Sequence, residues 1–223
     1  MTTQLAQFET ESLHQRRYYL HTTRFWRILY PPVHFVFTRA LSRLHIEGSE
    51  NIPASGGVIL ACNHVNDFDV FVMQMGVPRQ IFFMAKAELH RNPLIDTIIR
   101  PLGAFPVQRG MQDDWAMQHA QRILEHDLIL GMFPEGTRNW GCGLKPAKTG
   151  AARLAMLTRS PIVPVAVVGI ERMLHRFPRP TPVELRFAPP IYPQPLQTAE
   201  NLTEQVMRSM AAMLPPEQRG VYA

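Results

Sequence analysis

The sequence predicts an α/β fold: a single domain with a largely parallel, mixed central sheet flanked by helices, plus an N-terminal amphipathic helical arm. Two observations predict it. Short apolar runs rich in β-branched residues alternate with helical patterns along most of the chain, as in strands joined by crossover helices. With 223 residues, of which 46% are hydrophobic and 18% charged, the chain is long and apolar enough to bury one sizeable core.

Strands are predicted at the most apolar of these runs, and helices at the segments between them. The strands are residues 57–62, 81–85, 103–107, 128–133, 162–168 and 183–187. The helices are residues 67–76, 93–100, 148–157, a segment around 116–124 capped by Asp113 or Asp114, and a final helix that ends before Pro215-Pro216.

An uneven charge distribution separates the N-terminal segment, residues 1–46, from the predicted α/β domain at residues 47–223. The net charge of the whole chain is +5, but six arginines and no acidic residue lie between Ser12 and Ile46. The basic character of the chain is therefore local. Such a block suits an anionic surface, either lipid headgroups or nucleic acid.

Apolar and aromatic side chains within this basic segment favour lipid as its partner. From Phe25 to Leu44 they recur at three- and four-residue steps, which indicates an amphipathic helix broken at Pro31-Pro32. Apolar side chains beside arginines let a helix lie in a membrane surface without spanning it. We therefore expect residues 12–46 to bind an anionic membrane surface, and we expect no nucleic-acid partner. The alternative is a helix packed on the domain with its arginines solvated.

The composition disfavours several kinds of protein. Two cysteines, Cys62 and Cys142, form no disulfide framework and no CxxC pair, which favours a reducing compartment. No signal-peptide core is visible, and the uncharged apolar runs are shorter than the roughly 18 residues that span a bilayer. Without HExxH, clustered Cys/His ligands, a P-loop or GxSxG, we expect no metal and no cofactor. The expected location is the cytoplasmic face of a membrane, as a peripheral, monotopic protein without a transmembrane span.

A histidine and an aspartate follow the first predicted strand of the domain. His64 and Asp69 would point about 140° apart on one helix and to opposite faces on one strand. They can meet if the chain turns between them, with Asn66 or Asp67 capping the next helix. An aspartate bonded to one imidazole nitrogen leaves the other free as a general base. Alternatively, Asp69 is a first-turn carboxylate favoured by the helix dipole, and His64 is an ordinary loop residue.

A second polar segment, Glu135-Gly136-Thr137-Arg138, follows a later strand. Because parallel strands end at one edge of a sheet, we expect this segment to lie near His64. Glycine allows close backbone approach to a ligand, Thr137 adds a hydroxyl donor, and Arg138 offers a planar fork for phosphate oxygens. A salt bridge within the loop, between Glu135 and Arg138, is the alternative.

Two further cations are candidates for binding an anion. Arg109 comes just beyond a predicted strand, and Lys148 precedes a predicted helix whose first backbone amides are free. Each alone is weak evidence, because solvated arginines and lysines at helix starts are common. They gain weight only if the fold brings them to the same edge as His64.

The two motifs, 63–69 and 133–138, together resemble the signature of the glycerolipid acyltransferases, the lysophosphatidic-acid acyltransferase family of HxxxxD type. The resemblance covers about residues 55–170, with Asn66 standing where a serine is usual. The implied roles are catalysis for His64 and Asp69, acceptor phosphate and glycerol binding for Arg109, Glu135, Gly136, Thr137, Arg138 and Lys148, and support of the site for Asn63, Asn66 and Pro164.

The resemblance implies transfer of a fatty acyl group from acyl-CoA or acyl carrier protein to the hydroxyl of a lysophospholipid. 1-Acylglycerol 3-phosphate is the first choice of acceptor, giving phosphatidic acid. Another lysophospholipid, glycerol 3-phosphate or an amino-acid lipid stays open as the acceptor. Two different functions also stay open. The first is an acyl hydrolase that depends on Cys62, because Cys62 and His64 would share one face of a strand. The second is a non-catalytic membrane-binding module.

Overall fold

A seven-stranded sheet forms the centre of the computed structural model, which describes residues 12–108, 113–172 and 179–223. Its strands are β1 (Ser42–Glu47), β2 (Val58–Cys62), β3 (Ile81–Lys86), β4 (Ala104–Val107), β5 (Ile129–Met132), β6 (Ile162–Val168) and β7 (Thr181–Phe187). They lie in the order β1-β7-β6-β2-β5-β3-β4. Every neighbouring pair is parallel except β6 and β7. The predicted largely parallel, mixed sheet is therefore confirmed.

Helices cover both faces of this sheet. They are α1 (Arg24–Val36), which continues into a π-helical turn at Phe37–Leu41, α2 (Asp69–Met75), α3 (Ala87–Arg91), α4 (Pro93–Ile99), α5 (Asp114–Glu125), α6 (Gly150–Thr158) and α7 (Ala199–Ala212). Successive residues of β2 alternate between the two core layers, as the pleat requires. Ile59 and Ala61 pack in the layer of α5, α6 and α7, whereas Leu60 and Cys62 pack in the layer of α1 and α2.

Helix α1 is not broken at Pro31-Pro32, so that prediction from the sequence is wrong. Both prolines lie inside the helix at exposed positions. Their missing N–H groups leave the carbonyls of Arg27 and Ile28 without a helical partner, but these residues are exposed and water can hydrate them. On another face of the helical segment, Trp26 and Phe37 are buried. Tertiary packing therefore holds together a helix that local propensity would break.

The predicted helical arm also extends too far along the chain. Residues 42–46 lie in β1, where Leu44 is opposite Val183 of β7. The segment alternates polar and apolar side chains, a period that suits a strand once a partner strand is available. The division into an arm and a domain stays a prediction. Of the helices in the described ranges, none is both long enough and apolar enough to cross a bilayer.

One predicted helix cap is wrong and another is confirmed. Helix α2 begins after Phe68, without a side-chain cap. The side chain of Asn66 instead accepts a hydrogen bond from the N–H of Phe68 at 2.9 Å, so it shapes the turn before the helix. Asp113 does cap α5, because its carboxylate accepts the N–H of Ala116 at 2.9 Å.

Candidate active site

The two sequence motifs meet at the edge where the parallel strands end. His64 comes two residues after β2, and Glu135 comes three residues after β5. These strands are neighbours in the sheet. The backbone N–H of His64 donates to a carboxylate oxygen of Glu135 at 2.8 Å, which joins the two motifs across 71 residues of sequence. The expectation that the two motifs lie close together is confirmed.

His64 and Asp69 form the predicted pair. Nδ1 of His64 lies 2.8 Å from Oδ2 of Asp69, and both side chains are buried. The same carboxylate oxygen accepts the N–H of Asn66 at 2.9 Å, so the turn itself holds the aspartate in place. Burial raises the pKa of the Asp69 carboxyl above its ordinary value, and the hydrogen bonds that it makes with His64 and the N–H of Asn66 offset part of that rise. The carboxylate therefore relies on the histidine and the turn for its ionised form.

Aromatic rings cover one face of the imidazole. The ring of Phe133 stacks on His64 with centroids 4.1 Å apart, and Phe83 stacks on Phe133 at 6.3 Å. Gly131 makes room for this column, since a Cβ built there would lie 2.2 Å from the ring of Phe83. The imidazole is thus held by a carboxylate at one nitrogen and by stacked rings on its face.

Glu135 is buried, and protein groups already bond both of its carboxylate oxygens. One oxygen accepts the N–H of His64 and the other accepts the N–H of Lys145 at 2.9 Å. The side-chain amide of Asn139 donates to both oxygens at 3.0 Å, and the backbone N–H of Asn139 donates to the carbonyl of His64 at 2.7 Å. Contact of Glu135 with an acceptor stays a prediction, whereas this geometry favours a role in positioning His64.

The remaining residues of the Glu135 loop form a cationic surface. Gly136 has a left-handed φ of +68°, and a Cβ built there would lie 3.3 Å from the ammonium nitrogen of Lys148. Thr137 and Lys148 are exposed, whereas Arg138 is half-buried. The guanidinium of Arg138 lies 4.8 Å from the ring centroid of Trp140. Four of the predicted phosphate-binding residues therefore lie together, as a group able to hold an anion.

Arg109, the remaining cationic candidate, lies outside the described residues. Strand β4, which leads towards it, ends at the same edge of the sheet as β2 and β5. The N–H of Gln108, the last described residue before the gap, donates to the carboxylate of Asp113 at 2.8 Å. The role of Arg109 stays a prediction.

The predicted supporting residues connect the histidine turn to β6 and the segment after it. The side-chain amide of Asn63 bonds both backbone groups of Val167, at 2.8 and 3.0 Å. That of Asn66 donates to the carbonyl of Ile170 at 3.2 Å. Pro164 is buried within β6, opposite Ala61 of β2 and one residue before the β6–β7 ladder begins. The carbonyl of Pro164 accepts the N–H of Ala188, the residue after β7, at 2.9 Å, and proline has no N–H with which to return that bond.

Cys62 does not have the features of a nucleophile. Its side chain is fully buried in the core layer of α1 and α2. Burial first, and then the charges of Asp69 and Glu135, raise the pKa of the thiol well above its ordinary value. Within the described ranges, no group of three or more His, Cys, Asp or Glu side chains is arranged to hold a metal ion. The expectation that no metal or cofactor is needed stays a prediction.

Three site features were missed by reasoning from the sequence. They are the bonds of Asn139 to both motifs, the bond from Lys145 to the carbonyl of Arg138 at 2.7 Å, and an ion pair between Arg138 and Asp67 at 2.6 Å. Neither Asn139 nor Lys145 belongs to one of the two motifs, and only the folded loop brings them to Glu135, Arg138 and His64. Asp67 was recognisable only as an extra acid inside the histidine motif.

Comparisons with known proteins identify the family of this chain. The Acyltransferase family model matches residues 43–168, more than half of the chain. A 1-acyl-sn-glycerol-3-phosphate acyltransferase of Bacillus subtilis is 35% identical over 125 residues, which is 56% of this chain and 62% of that protein. One of Borreliella burgdorferi is 31% identical over 129 residues, or 56% of this chain and 51% of that protein.

A solved structure extends the similarity beyond the motifs. The 1-acyl-sn-glycerophosphate (LPA) acyltransferase PlsC from Thermotoga maritima superposes with a TM-score of 0.65 at 27% identity, covering 81% of this chain and 76% of that one. The chain spans about half to three-fifths of the length of the curated relatives described above. The family model, these relatives and the shared fold together show that this chain belongs to the acyltransferase family.

Proposed function

We propose that this protein transfers a fatty acyl group from acyl-CoA or acyl carrier protein to the hydroxyl of 1-acylglycerol 3-phosphate, giving phosphatidic acid. One observation carries the proposal: the buried His64–Asp69 pair is bonded through Glu135 to the loop that bears Arg138. A base for the hydroxyl and a cation for the phosphate therefore lie in one connected structure. The names of the two bacterial relatives described above support the same acceptor.

The proposed chemistry is general-base catalysis by His64. Because Nδ1 is bonded to Asp69, Nε2 takes the proton of the acceptor hydroxyl, and Asp69 stabilises the imidazolium that forms. The new alkoxide attacks the thioester carbonyl, a C–O bond forms, and the C–S bond breaks. The departing thiolate recovers the proton from the imidazolium. Arg138, Thr137 and Lys148 hold the phosphate of the acceptor meanwhile.

A purified-enzyme assay tests this function. Radiolabelled acyl-CoA and acyl carrier protein are each paired with a panel of lysolipids, glycerol 3-phosphate and an amino-acid lipid. We expect phosphatidic acid as the main product, and a loss of kcat of about 10³-fold or more for His64→Ala and Asp69→Asn. The control His45→Ala changes an exposed histidine on β1 and should leave the rate intact. No transfer to any acceptor by the wild-type protein would refute the proposal.

A lysophospholipid acceptor is held at a membrane surface by its acyl chain. Helix α1 exposes four large apolar side chains, Phe25, Ile28, Phe35 and Val36. Its arginines Arg24 and Arg27 are also exposed, which adds attraction for anionic headgroups. We infer that this face of α1 lies on an anionic membrane, while the buried side chains of the same helix hold it on the domain.

Co-sedimentation with vesicles tests the membrane contact. Vesicles of phosphatidylglycerol should bind the wild-type protein, and the variant Ile28→Glu/Phe35→Glu should remain in solution. Leu157→Glu is the matched control, because Leu157 is 64% exposed on α6 in the opposite layer of the sheet. Equal binding by all three proteins would contradict a role for α1, and preferential binding of duplex DNA would favour nucleic acid instead.

A further inference from the structure

The cation proposed to hold the acceptor phosphate already has an anionic partner. An oxygen of the Asp67 carboxylate lies 2.6 Å from a terminal nitrogen of Arg138. Asp67 belongs to the histidine turn and Arg138 to the Glu135 loop, so the pair bridges the two motifs 71 residues apart. The carboxylate thus occupies a position at the guanidinium where a phosphate oxygen would bind.

The two members of this pair differ in how firmly they are held. The guanidinium of Arg138 lies beside the ring of Trp140, and the side chain of Arg138 is 28% exposed. The backbone carbonyl of Arg138 accepts a hydrogen bond from the ammonium group of Lys145. The side chain of Asp67 is 78% exposed and lies before the first residue of α2. In the described part of the chain, Arg138 is its one ion-pair partner. Asp67 can therefore turn away from Arg138 without disturbing a buried group.

The exposed carboxylate changes which headgroups suit the site. A phosphate monoester carries only negative charge, so the Asp67 carboxylate competes with it for Arg138 and repels it. A headgroup whose phosphate is followed by an ammonium can give its phosphate to Arg138 and its ammonium to Asp67. Exposed ion pairs of this kind change binding constants by about 1.5- to 5-fold.

We propose that Asp67 is a specificity-determining residue of the acceptor site. It disfavours a bare phosphate monoester and favours a zwitterionic acceptor, relative to a site that contains Arg138 alone. This inference rests on the proposed acyltransferase function. Asp67 does not touch the reacting atoms, so its effect falls on KM rather than on kcat.

The test compares Asp67→Asn with the wild-type enzyme on lysophosphatidic acid and lysophosphatidylethanolamine of the same acyl chain. We expect KM to fall about 1.5- to 5-fold for the first and to rise about 1.5- to 5-fold for the second. The ratio of the two kcat/KM values should therefore shift by at least about twofold, and less at high salt. Glu125→Gln, the same charge change at the exposed end of α5, four residues before the first residue of β5, should not shift it.

A second readout does not depend on catalysis. Glycerol 3-phosphate should raise the midpoint of thermal unfolding more for Asp67→Asn than for the wild-type protein, and glycerophosphoethanolamine should raise it less. An unchanged ratio of acceptors, or an unchanged order of these midpoint shifts, overturns the role of Asp67. A wild-type protein that acylates no acceptor defeats the proposed function instead, and the unfolding measurements then decide the role of Asp67.

Discussion

Replacement of Glu135 by glutamine separates a positioning role from contact with the acceptor. One carboxylate oxygen accepts from His64 and Asn139, and the other from Asn139 and Lys145. Glutamine keeps one acceptor oxygen and replaces the other with an NH2 group. Two of these four hydrogen bonds are therefore lost, because the NH2 group faces N–H donors that it cannot accept. Hydrogen bonds to charged groups contribute about 1.5–3 kcal/mol each. Allowing for relaxation, we expect Glu135→Gln to lose about 3 kcal/mol of unfolding free energy.

The same replacement should lower the rate of the reaction. At about 2–4 °C per kcal/mol for a chain of this size, the unfolding midpoint should fall by about 6–12 °C. Because the N–H of His64 is one of the affected donors, kcat should fall while KM for the acceptor changes little. Denaturant unfolding and steady-state kinetics measure both quantities, with Glu200→Gln as the exposed control. A stable Glu135→Gln protein with a raised acceptor KM would refute this reasoning and show that Glu135 binds the acceptor.

Three further variants test other parts of the structure. Cys62→Ala should leave kcat nearly unchanged, because the thiol is buried and its pKa is raised; loss of activity would favour the thiol mechanism. Burial and a nearby arginine lower the pKa of His119 to about 4, so the unfolded chain takes up a proton that the folded one refuses as pH falls below about 6.5. The free energy of unfolding therefore falls as the pH is lowered, by about 2 kcal/mol at pH 5 relative to neutral pH. Denaturant titrations of His119→Phe should lack this part of the decline. Gly131→Ala should cost about 1–3 kcal/mol and lower kcat, because its Cβ would collide with the ring of Phe83, whereas a Cβ in Gly150→Ala would come no closer than 3.8 Å to a neighbouring side chain and should be tolerated in denaturant unfolding.

Much of the site could be predicted because its chemistry is encoded in short stretches of sequence. His64 and Asp69 are five residues apart, and a turn of that length keeps their side chains within reach of each other. The cationic loop follows a strand that the apolar run at 128–133 already marks. The bonds that join these stretches could not be predicted, since the partners of Glu135 and Asp67 are 71 residues distant.

The sequence by itself determined the α/β class, most of the strands and the residues that carry the proposed chemistry, because strand periodicity and motif spacing are local properties. Tertiary structure decided that α1 continues through Pro31-Pro32, that residues 42–46 pair with β7, and that Asp67 forms an ion pair with Arg138. Each of these depends on a partner distant in the chain, whose packing or charge outweighs a local preference of about 3 kcal/mol or less.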